Sequence, residues 1–437
     1  MCFNRLPPEV ADGIFREALH TPSDLTNLPD ATSFIIRRTQ CAQVCRAWWV
    51  RIVNMPWIWN VVWFYRFMPL DVLLFCLRQT KARPFGLIVD STRYNFVPIR
   101  GMHGRARVTC TELSTFELNL ISVLSPHFIR VHQLRLRCES YASWTAISSL
   151  LLSLDGQNIH CVHVVISNCE RNDDTIHTPN NWRCITKLKS TGVPLRWGGS
   201  DMYRTVTTLA ISQPFGYHIP TSQVLDLLRD APSLIVLEIA GIEFIAADGH
   251  TPTVTLPFLT HFHFVYRGIV PACISLLAHL QLPSLQRLRW NVNCGDLTEN
   301  VAAACLFFRP VRHLELAMEN GSVGALTTLG RELRSLVHLD LRECEPDAWE
   351  SILAMLQHGA LRWPYLQTLC VGLSPSEADA RLILDALTVG GATNPVLIHG
   401  PVSYLPLTHG EWKEVNGVLN SRHVIDTERY IWDDLCC

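Results

Sequence analysis

An apolar pattern recurs along most of this 437-residue chain and limits how it can fold. The clearest copy is LVHLDLREC, in which Leu336, Leu339 and Leu341 precede Cys344. In an extended strand, residues two apart face the same side, so Leu339 and Leu341 are predicted to point together into a core. We call the spacing of these three leucines the repeat frame. The middle residue of each copy stands at positions 134, 162, 209, 237, 262, 288, 314, 339 and 369.

Consecutive copies lie 25 to 30 residues apart, except for one step of 47 residues. That longer step is predicted to contain a degenerate copy around Ile185 and Leu188. The period and the pattern resemble the leucine-rich repeat. The resemblance implies an α/β solenoid with a curved parallel sheet inside and helices outside, because one strand and one helix cannot bury their apolar faces alone. Chance leucine-rich patterning does not easily produce nine copies in the same frame.

The segments between the predicted strands carry apolar residues three and four positions apart, which is typical of helices. These predicted helices cover residues 221–231, 271–280, 297–308, 322–333, 347–356 and 376–387. A further strand at 85–91 is predicted near the start of the array. We therefore predict a helical domain at 1–65, a solenoid at 66–410 and a polar terminal cap at 411–437.

The composition is that of a folding chain, with 48% hydrophobic and 17% charged residues. The opening residues lack a signal-peptide core, and no stretch reaches the roughly 18 apolar residues of a membrane span. A cytoplasmic or nuclear protein that does not enter the membrane is expected, with its 16 cysteines mostly reduced and buried. Residues 1–107 carry a net charge of +7 and the remainder −9, a basic start too diffuse to indicate nucleic-acid binding.

The first sixty residues carry two apolar blocks, LPPEVADGIF at 6–15 and CAQVCRAWWVRIVNMPWIW at 41–59. Pro7, Pro8 and Glu9 fit the start of a helix. A second helix is predicted to carry Val44, Cys45, Trp48 and Ile52, followed by a turn at MPWIW. Residues 20–40 are read as a long link between the two blocks.

The two blocks together resemble the F-box, a motif with Leu-Pro-x-Glu-Val, then Ile-Phe, then Val-Cys-Arg-x-Trp and a final Trp. The resemblance implies docking onto the Skp adaptor of a cullin-based ubiquitin ligase. The residues that it assigns to the adaptor-binding segment are Leu6, Pro7, Val10, Ile14, Phe15, Val44, Cys45, Trp48 and Trp59. Which of these form the core and which touch the adaptor stays open. An alternative is that the helices only cap the open end of the solenoid.

The polar residues of each repeat frame are predicted to share the other face of the sheet, the concave one. Their central cluster forms the predicted substrate-binding set of His261, His263, Arg287, Arg289, His313, Glu315, His338 and Asp340. Two arginines among imidazoles suit an acidic or phosphorylated protein segment. The alternative is an ordinary solvated sheet face.

No motif in the chain predicts catalysis or a cofactor. The histidines show no Cys-x-x-Cys or His-Glu-x-x-His spacing, so no metal site is expected, and no phosphate-binding glycine loop or nucleophile elbow is present. Cys161 and His163 share a strand face but lack an orienting third group, which makes an enzyme the weakest hypothesis. The acidic residues before Cys436 and Cys437 argue against lipidation. The sequence therefore predicts a non-enzymatic substrate adaptor of a Skp–cullin–F-box ligase, or else a plain interaction scaffold.

Overall fold

A computed structural model describes the parts of the chain that carry most of the repeat frame. These are residues 7–19, 28–65, 68–91, 122–140, 143–144, 147, 154, 156–168, 183–192, 200–213, 218–245, 252–266, 276–292, 309–317, 332–341, 344, 354–355, 358, 363–371 and 397–399. The described residues fall into two compact units, one that ends at Val206 and one that begins at Thr207. Each unit is described by itself.

The first unit begins with helices. They are α1 (Pro8–Ala18), α2 (Leu28–Gln43) and α3 (Arg46–Asn54), followed by a 3₁₀ turn at Pro56–Trp59 and by α4 (Leu70–Gln79). Helix α1 starts as predicted, with Pro7 at its N-cap and the carboxylate of Glu9 in its first turn. The predicted link at 20–40 is wrong in its second half, since α2 occupies residues 28–43.

The sheet of the first unit contains parallel strands in the order β1-β2-β3-β4-β5. They are β1 (Val61–Tyr65), β2 (Phe85–Asp90), β3 (Val131–Ser140), β4 (Cys161–Asn168) and β5 (Lys187–Thr191). Strand β2 was predicted at 85–91. Strand β5 is the degenerate copy, and its Leu188 is 1% exposed. Strand β1 was not predicted, and it lies in the stretch assigned to the helical domain.

The second unit continues the pattern with parallel strands in the order β6-β8-β11-β13-β14-β15-β16-β17. They are β6 (Thr208–Ser212), β8 (Val236–Ala240), β11 (His261–Tyr266), β13 (Arg287–Val292), β14 (His313–Ala317), β15 (His338–Leu341), β16 (Thr368–Val371) and β17 (Leu397–His399). Two small parallel pairs lie beside it, β7 (His218–Pro220) with β9 (Glu243–Ile245) and β10 (Val254–Thr255) with β12 (Leu280–Gln281).

The register of both sheets follows the repeat frame. In the second unit, the middle residues of neighbouring copies pair directly along the row Leu209, Leu237, Phe262, Leu288, Leu314, Leu339 and Leu369. Each of these side chains is at most 2% exposed. The first residue of each described copy, as in Leu336 and Leu366, is also buried. The α/β class and the parallel, leucine-rich-repeat-like sheet are therefore as predicted, since one strand per repeat contributes one apolar layer to a continuous core.

The connecting helices are described only in part. The predicted helix at 221–231 is present as α6 (Thr221–Arg229), and a short helix α5 (Ser200–Tyr203) precedes β6. The other predicted helices, apart from short stretches of them, and the cap at 411–437 with Cys436 and Cys437 lie outside the described residues. Within the described ranges, no helix has the length and apolarity needed to cross a bilayer.

Candidate functional site

Helix α1 carries two apolar stripes that differ in exposure. Ala11, Phe15 and Leu19, spaced four residues apart, are fully buried. Pro7, Val10 and Ile14 follow one another at three and four positions on a second stripe, and all are exposed; Val10 is 48% and Ile14 is 39% exposed. The helix therefore has one stripe inside the unit and one outside it.

The inner stripe is held by aromatic packing. The ring of Phe15 meets the ring of Trp48 edge to face, at 5.0 Å between centroids. On α3, Trp49 stacks on Phe75 of α4 at 5.8 Å, and Trp59 meets the same Phe75 edge to face at 5.3 Å. Such pairs add to the free energy gained by burial, and they join α1 to α3, and α3 and the 3₁₀ turn to α4.

Arg38 of α2 is a buried cation that joins α2 to the 3₁₀ turn and to β1. Its side chain is 7% exposed, and its Nη1 donates hydrogen bonds to the carbonyls of Ile58 at 3.3 Å and Val61 at 3.2 Å. Its guanidinium also lies 4.4 Å from the centroid of the Trp59 ring. Burial lowers the pKa of Arg38 from its usual value. No sequence pattern marked Arg38, because it lies in the stretch interpreted as a link.

The second predicted block is interrupted and does not form one helix. Helix α2 ends at Gln43 and α3 begins at Arg46, with Cys45 extended at φ −164° and ψ 167° between them. Predicting Val44 and Cys45 inside the same helix as Trp48 was therefore wrong. The break leaves the side chain of Val44 61% exposed and the thiol of Cys45 exposed as well.

The structure divides the predicted adaptor-binding residues into two groups. Phe15 is fully buried, Trp59 is 5% exposed and Trp48 is half-buried, so these three belong to the packing of the unit. The exposed residues are Pro7, Val10, Ile14, Val44 and Cys45. Leu6 lies outside the described residues.

The predicted substrate-binding residues form two rows on the second unit's sheet. The first row runs His261, Arg287, His313 and His338, in direct register on β11, β13, β14 and β15. The second row runs His263, Arg289, Glu315 and Asp340 on the same strands. Both rows alternate with the buried repeat-frame residues, so they occupy the opposite face of the sheet. All eight predicted residues therefore lie on this one face of the sheet.

The first row owes its permanent positive charge to Arg287. Burial lowers the pKa of His261 to about 4, helped by the nearby charges of Arg287 and His313, so its imidazole is neutral at physiological pH. The rings of His313 and His338 lie 5.7 Å apart between centroids. Among the ion pairs of the described residues, none includes Arg287.

The second row contains one ion pair and one contact between a histidine and a carboxylate. Arg289 Nε lies 3.0 Å from Glu315 Oε1, with both side chains about one-fifth exposed. His263 Nδ1 lies 3.7 Å from Glu238 Oε1. Of the two arginines predicted to recognise an acidic segment, Arg289 is therefore already matched to a carboxylate within the protein.

The pair considered for catalysis is buried. Cys161 is 7% exposed and His163 is 4% exposed, which gives a substrate little access to either. The described cysteines are all free thiols, and four of them, Cys76, Cys138, Cys161 and Cys370, are buried. Burial raises the pKa of Cys138 to about 12, so this thiol stays protonated at physiological pH.

No family model and no curated protein matches this chain. Among solved structures, it is similar to the crystal structure of the mouse RP105/MD-1 complex, at 12% sequence identity and a TM-score of 0.37. The match covers 75% of this chain and 58% of that chain, so this chain corresponds to little more than half of the other's length. The leucine-rich-repeat-like class given above accordingly depends on this chain's own strand register.

Proposed function

We propose that this protein is the substrate-recognition subunit of a Skp–cullin–F-box ubiquitin ligase and works in the cytoplasm or nucleus. In this proposal, the N-terminal helices dock the Skp adaptor and the sheet of the second unit binds the target protein. The observation that carries the proposal is the exposed apolar stripe of Pro7, Val10 and Ile14 on a helix whose opposite stripe is already buried. Val44, which the helix break exposes, adds a fourth apolar residue to the exposed set.

An apolar surface of this kind favours a protein partner. Fully burying a large apolar side chain contributes roughly 1.5–3 kcal/mol, so the half-exposed Val10, Ile14 and Val44 would each contribute about 1 kcal/mol when covered. Contiguous exposed apolar residues typically mark interaction sites. The F-box-like order of these residues in the sequence makes the Skp adaptor the specific partner to test.

The protein itself would perform no chemistry in this role. An adaptor holds its target close to a ubiquitin-charged enzyme and so converts a bimolecular encounter into a reaction at high effective concentration. The two rows on the second unit supply the candidate target surface. Arg287, which lies between two imidazoles, suits the carboxylates or phosphate of a target segment.

A plain interaction scaffold is the alternative function. The contacts of Phe15, Trp49 and Arg38 support it, because they hold the N-terminal helices against one another, against α4 and against the start of β1, as a cap would be held. A cap, however, needs only one apolar stripe, and it gives no reason for the second, exposed one. The adaptor proposal accounts for both stripes.

Co-purification with the Skp adaptor tests the proposal. Val10→Asp and Val44→Asp each place a charge in the proposed interface, and each is expected to weaken adaptor binding at least about 100-fold, because an unpaired charge is costly to desolvate. The matched control is Ile129→Asp, an isoleucine of the same unit that is 53% exposed and lies away from the N-terminal helices in the sequence. Affinity is measured by titration calorimetry on purified full-length chains.

The outcomes separate the two functions. Loss of binding in both valine variants, with wild-type affinity in the Ile129 control and unchanged thermal unfolding in all three, supports adaptor docking. A wild-type chain that does not bind the Skp adaptor at all establishes the scaffold instead. Equal binding by wild type and both valine variants would show that the adaptor uses another surface.

A further inference from the structure

Three metal-ligating side chains meet near the end of the second unit's sheet. His338 and Asp340 lie on β15, and Cys370 lies on β16. Their ligand atoms, one imidazole nitrogen, one carboxylate oxygen and one thiol sulfur, all lie within 4.8 Å of one another. None of the chemistry described above uses Cys370.

The sheet itself brings the three together. Asp340 pairs in register with Cys370, and His338 precedes Asp340 by two residues, so all three occupy the same face. On the opposite face, Leu339 and Leu369 are buried and fix both strands. The side chains therefore converge on a rigid support and not on a loop.

We propose that His338, Asp340 and Cys370 bind Zn²⁺. Nitrogen, sulfur and carboxylate oxygen together form a donor set typical of zinc, whereas Ca²⁺ and Mg²⁺ take oxygen ligands almost exclusively. Asp340 is 5% and Cys370 is 7% exposed, so the site excludes most water while the half-buried His338 lies toward solvent. This proposal stands independently of the ligase function.

The distances fit a zinc ion after a small adjustment. Bonds of about 2.0–2.3 Å in a tetrahedral site hold ligand atoms about 3.3–3.8 Å apart. The widest separation in the cluster is at most 4.8 Å, so closure takes roughly 1 Å of side-chain rotation. Binding replaces the thiol proton of Cys370, which leaves to solvent, and the carboxylate and thiolate then balance the charge of the cation.

Three protein ligands leave one position of a tetrahedral zinc site open. On β14, Glu315 pairs in register with Asp340, but its carboxylate is matched to Arg289. Glu315 is therefore not available as a fourth ligand, and water takes the open position.

The ligands come from successive repeats, which explains why no motif predicted the site. Cys370 follows Asp340 by about one repeat, much farther than the two- to five-residue spacings of sequence motifs for zinc. Only the register of parallel strands makes them neighbours.

Cobalt substitution tests the site on the purified full-length chain. After chelation and dialysis, one equivalent of Co²⁺ is expected to give the near-ultraviolet band of a thiolate–cobalt bond, and Zn²⁺ is expected to displace it. Cys370→Ser should remove the band and weaken Zn²⁺ binding at least about 100-fold, since even residues that only orient a ligand cost 10–100-fold. His338→Gln, at a half-buried position, should weaken binding comparably while keeping the fold.

The matched control is Cys344→Ser, which removes a thiol that donates a hydrogen bond to the carbonyl of Leu316 outside the cluster. It should keep both the band and the affinity, and Zn²⁺ should raise its Tm as it raises that of the wild type. A wild type without the band, or a Cys370→Ser chain that binds Zn²⁺ as tightly as wild type, would overturn the proposal and leave a metal-free hydrogen-bonded cluster.

Discussion

Single residues decide how firmly the N-terminal helices are held, and Arg38 is the clearest case. Its guanidinium satisfies two backbone carbonyls just ahead of and within β1 and packs against the ring of Trp59. A buried cation is costly unless hydrogen bonds and aromatic contacts compensate for the lost water. Arg38 meets that condition, which explains how a charged residue occupies the core of an apolar segment.

Arg38→Ala should destabilise the first unit by about 2–3 kcal/mol, because it leaves the carbonyls of Ile58 and Val61 unsatisfied and removes the contact with Trp59. The free energy of unfolding is measured by urea denaturation followed by tryptophan fluorescence. Arg37→Ala is the matched control, since Arg37 is the exposed neighbour on the same helix and its removal should change stability by less than about 0.5 kcal/mol. Equal effects of the two substitutions would contradict the role given to Arg38.

At the scale of elements, helix α1 is stabilised mainly by its tertiary packing, whereas the turn after β8 requires one particular residue. Helix α1 is short, and its stability comes from the buried stripe of Ala11, Phe15 and Leu19, since isolated helices of this length are marginal in water. At the end of β8 the chain must turn sharply, and Gly241 does so at φ +68°. The backbone oxygen of Gln213 lies so close to Gly241 that a Cβ at this position would collide with it.

Gly241→Ala should therefore lower stability by at least about 2 kcal/mol, through the unfavourable φ and the collision with Gln213. The effect is measured as the shift in the thermal midpoint. Gly13→Ala provides the opposite case, because a Cβ at Gly13 in α1 meets no atom within 4 Å. It should raise stability by about 0.5–1 kcal/mol through the better helix propensity of alanine. A stable Gly241→Ala chain would show that this turn relaxes easily.

On the scale of the whole molecule, the two proposed binding surfaces lie in different compact units. The exposed apolar stripe belongs to the unit that ends at Val206, and the two polar rows belong to the unit that begins at Thr207. The apolar stripe suits a tight, salt-insensitive contact, whereas a cation such as Arg287 suits a contact that weakens as salt rises. The two activities should consequently be separable by mutation.

Arg287→Ala should abolish most target capture and keep adaptor binding, while Val10→Asp should do the reverse. Targets are measured by quantitative mass spectrometry of proteins retained by the full-length chain in cells with the ligase blocked. Arg289→Ala should have a smaller effect on capture than Arg287→Ala, since Arg289 is already paired with Glu315. Arg312→Ala removes an exposed arginine just before β14 and serves as the control. Unchanged capture by Arg287→Ala and by the Arg287→Ala/Arg289→Ala double variant would remove the two arginines from target recognition.

Much of the fold could be predicted because each copy of the repeat frame is a short pattern of neighbouring residues in the sequence. Each copy needs only three apolar residues at fixed spacing, and stacking then forces them into one register, as in the row from Leu209 to Leu369. Even the degenerate copy at Leu188 was predictable from the period. Strand β1 and helix α2 were not predicted, because neither carries the repeat frame. Which of their apolar residues are buried depends on tertiary contacts that the local sequence does not show.

The sequence by itself determined the parallel sheet and the grouping of the polar rows, since strand alternation and a nearly regular repeat length favour one strand per repeat in a common register. The sequence could not predict which of Phe15 and Ile14 is buried, because the two are adjacent, apolar and of similar size. In the structure, Phe15 is fully buried and Ile14 is 39% exposed. That difference depends on where α1 docks against Trp48, a contact between distant parts of the chain. The convergence of His338, Asp340 and Cys370 likewise depends on tertiary structure, because the two strands that hold them become neighbours only when the repeats stack.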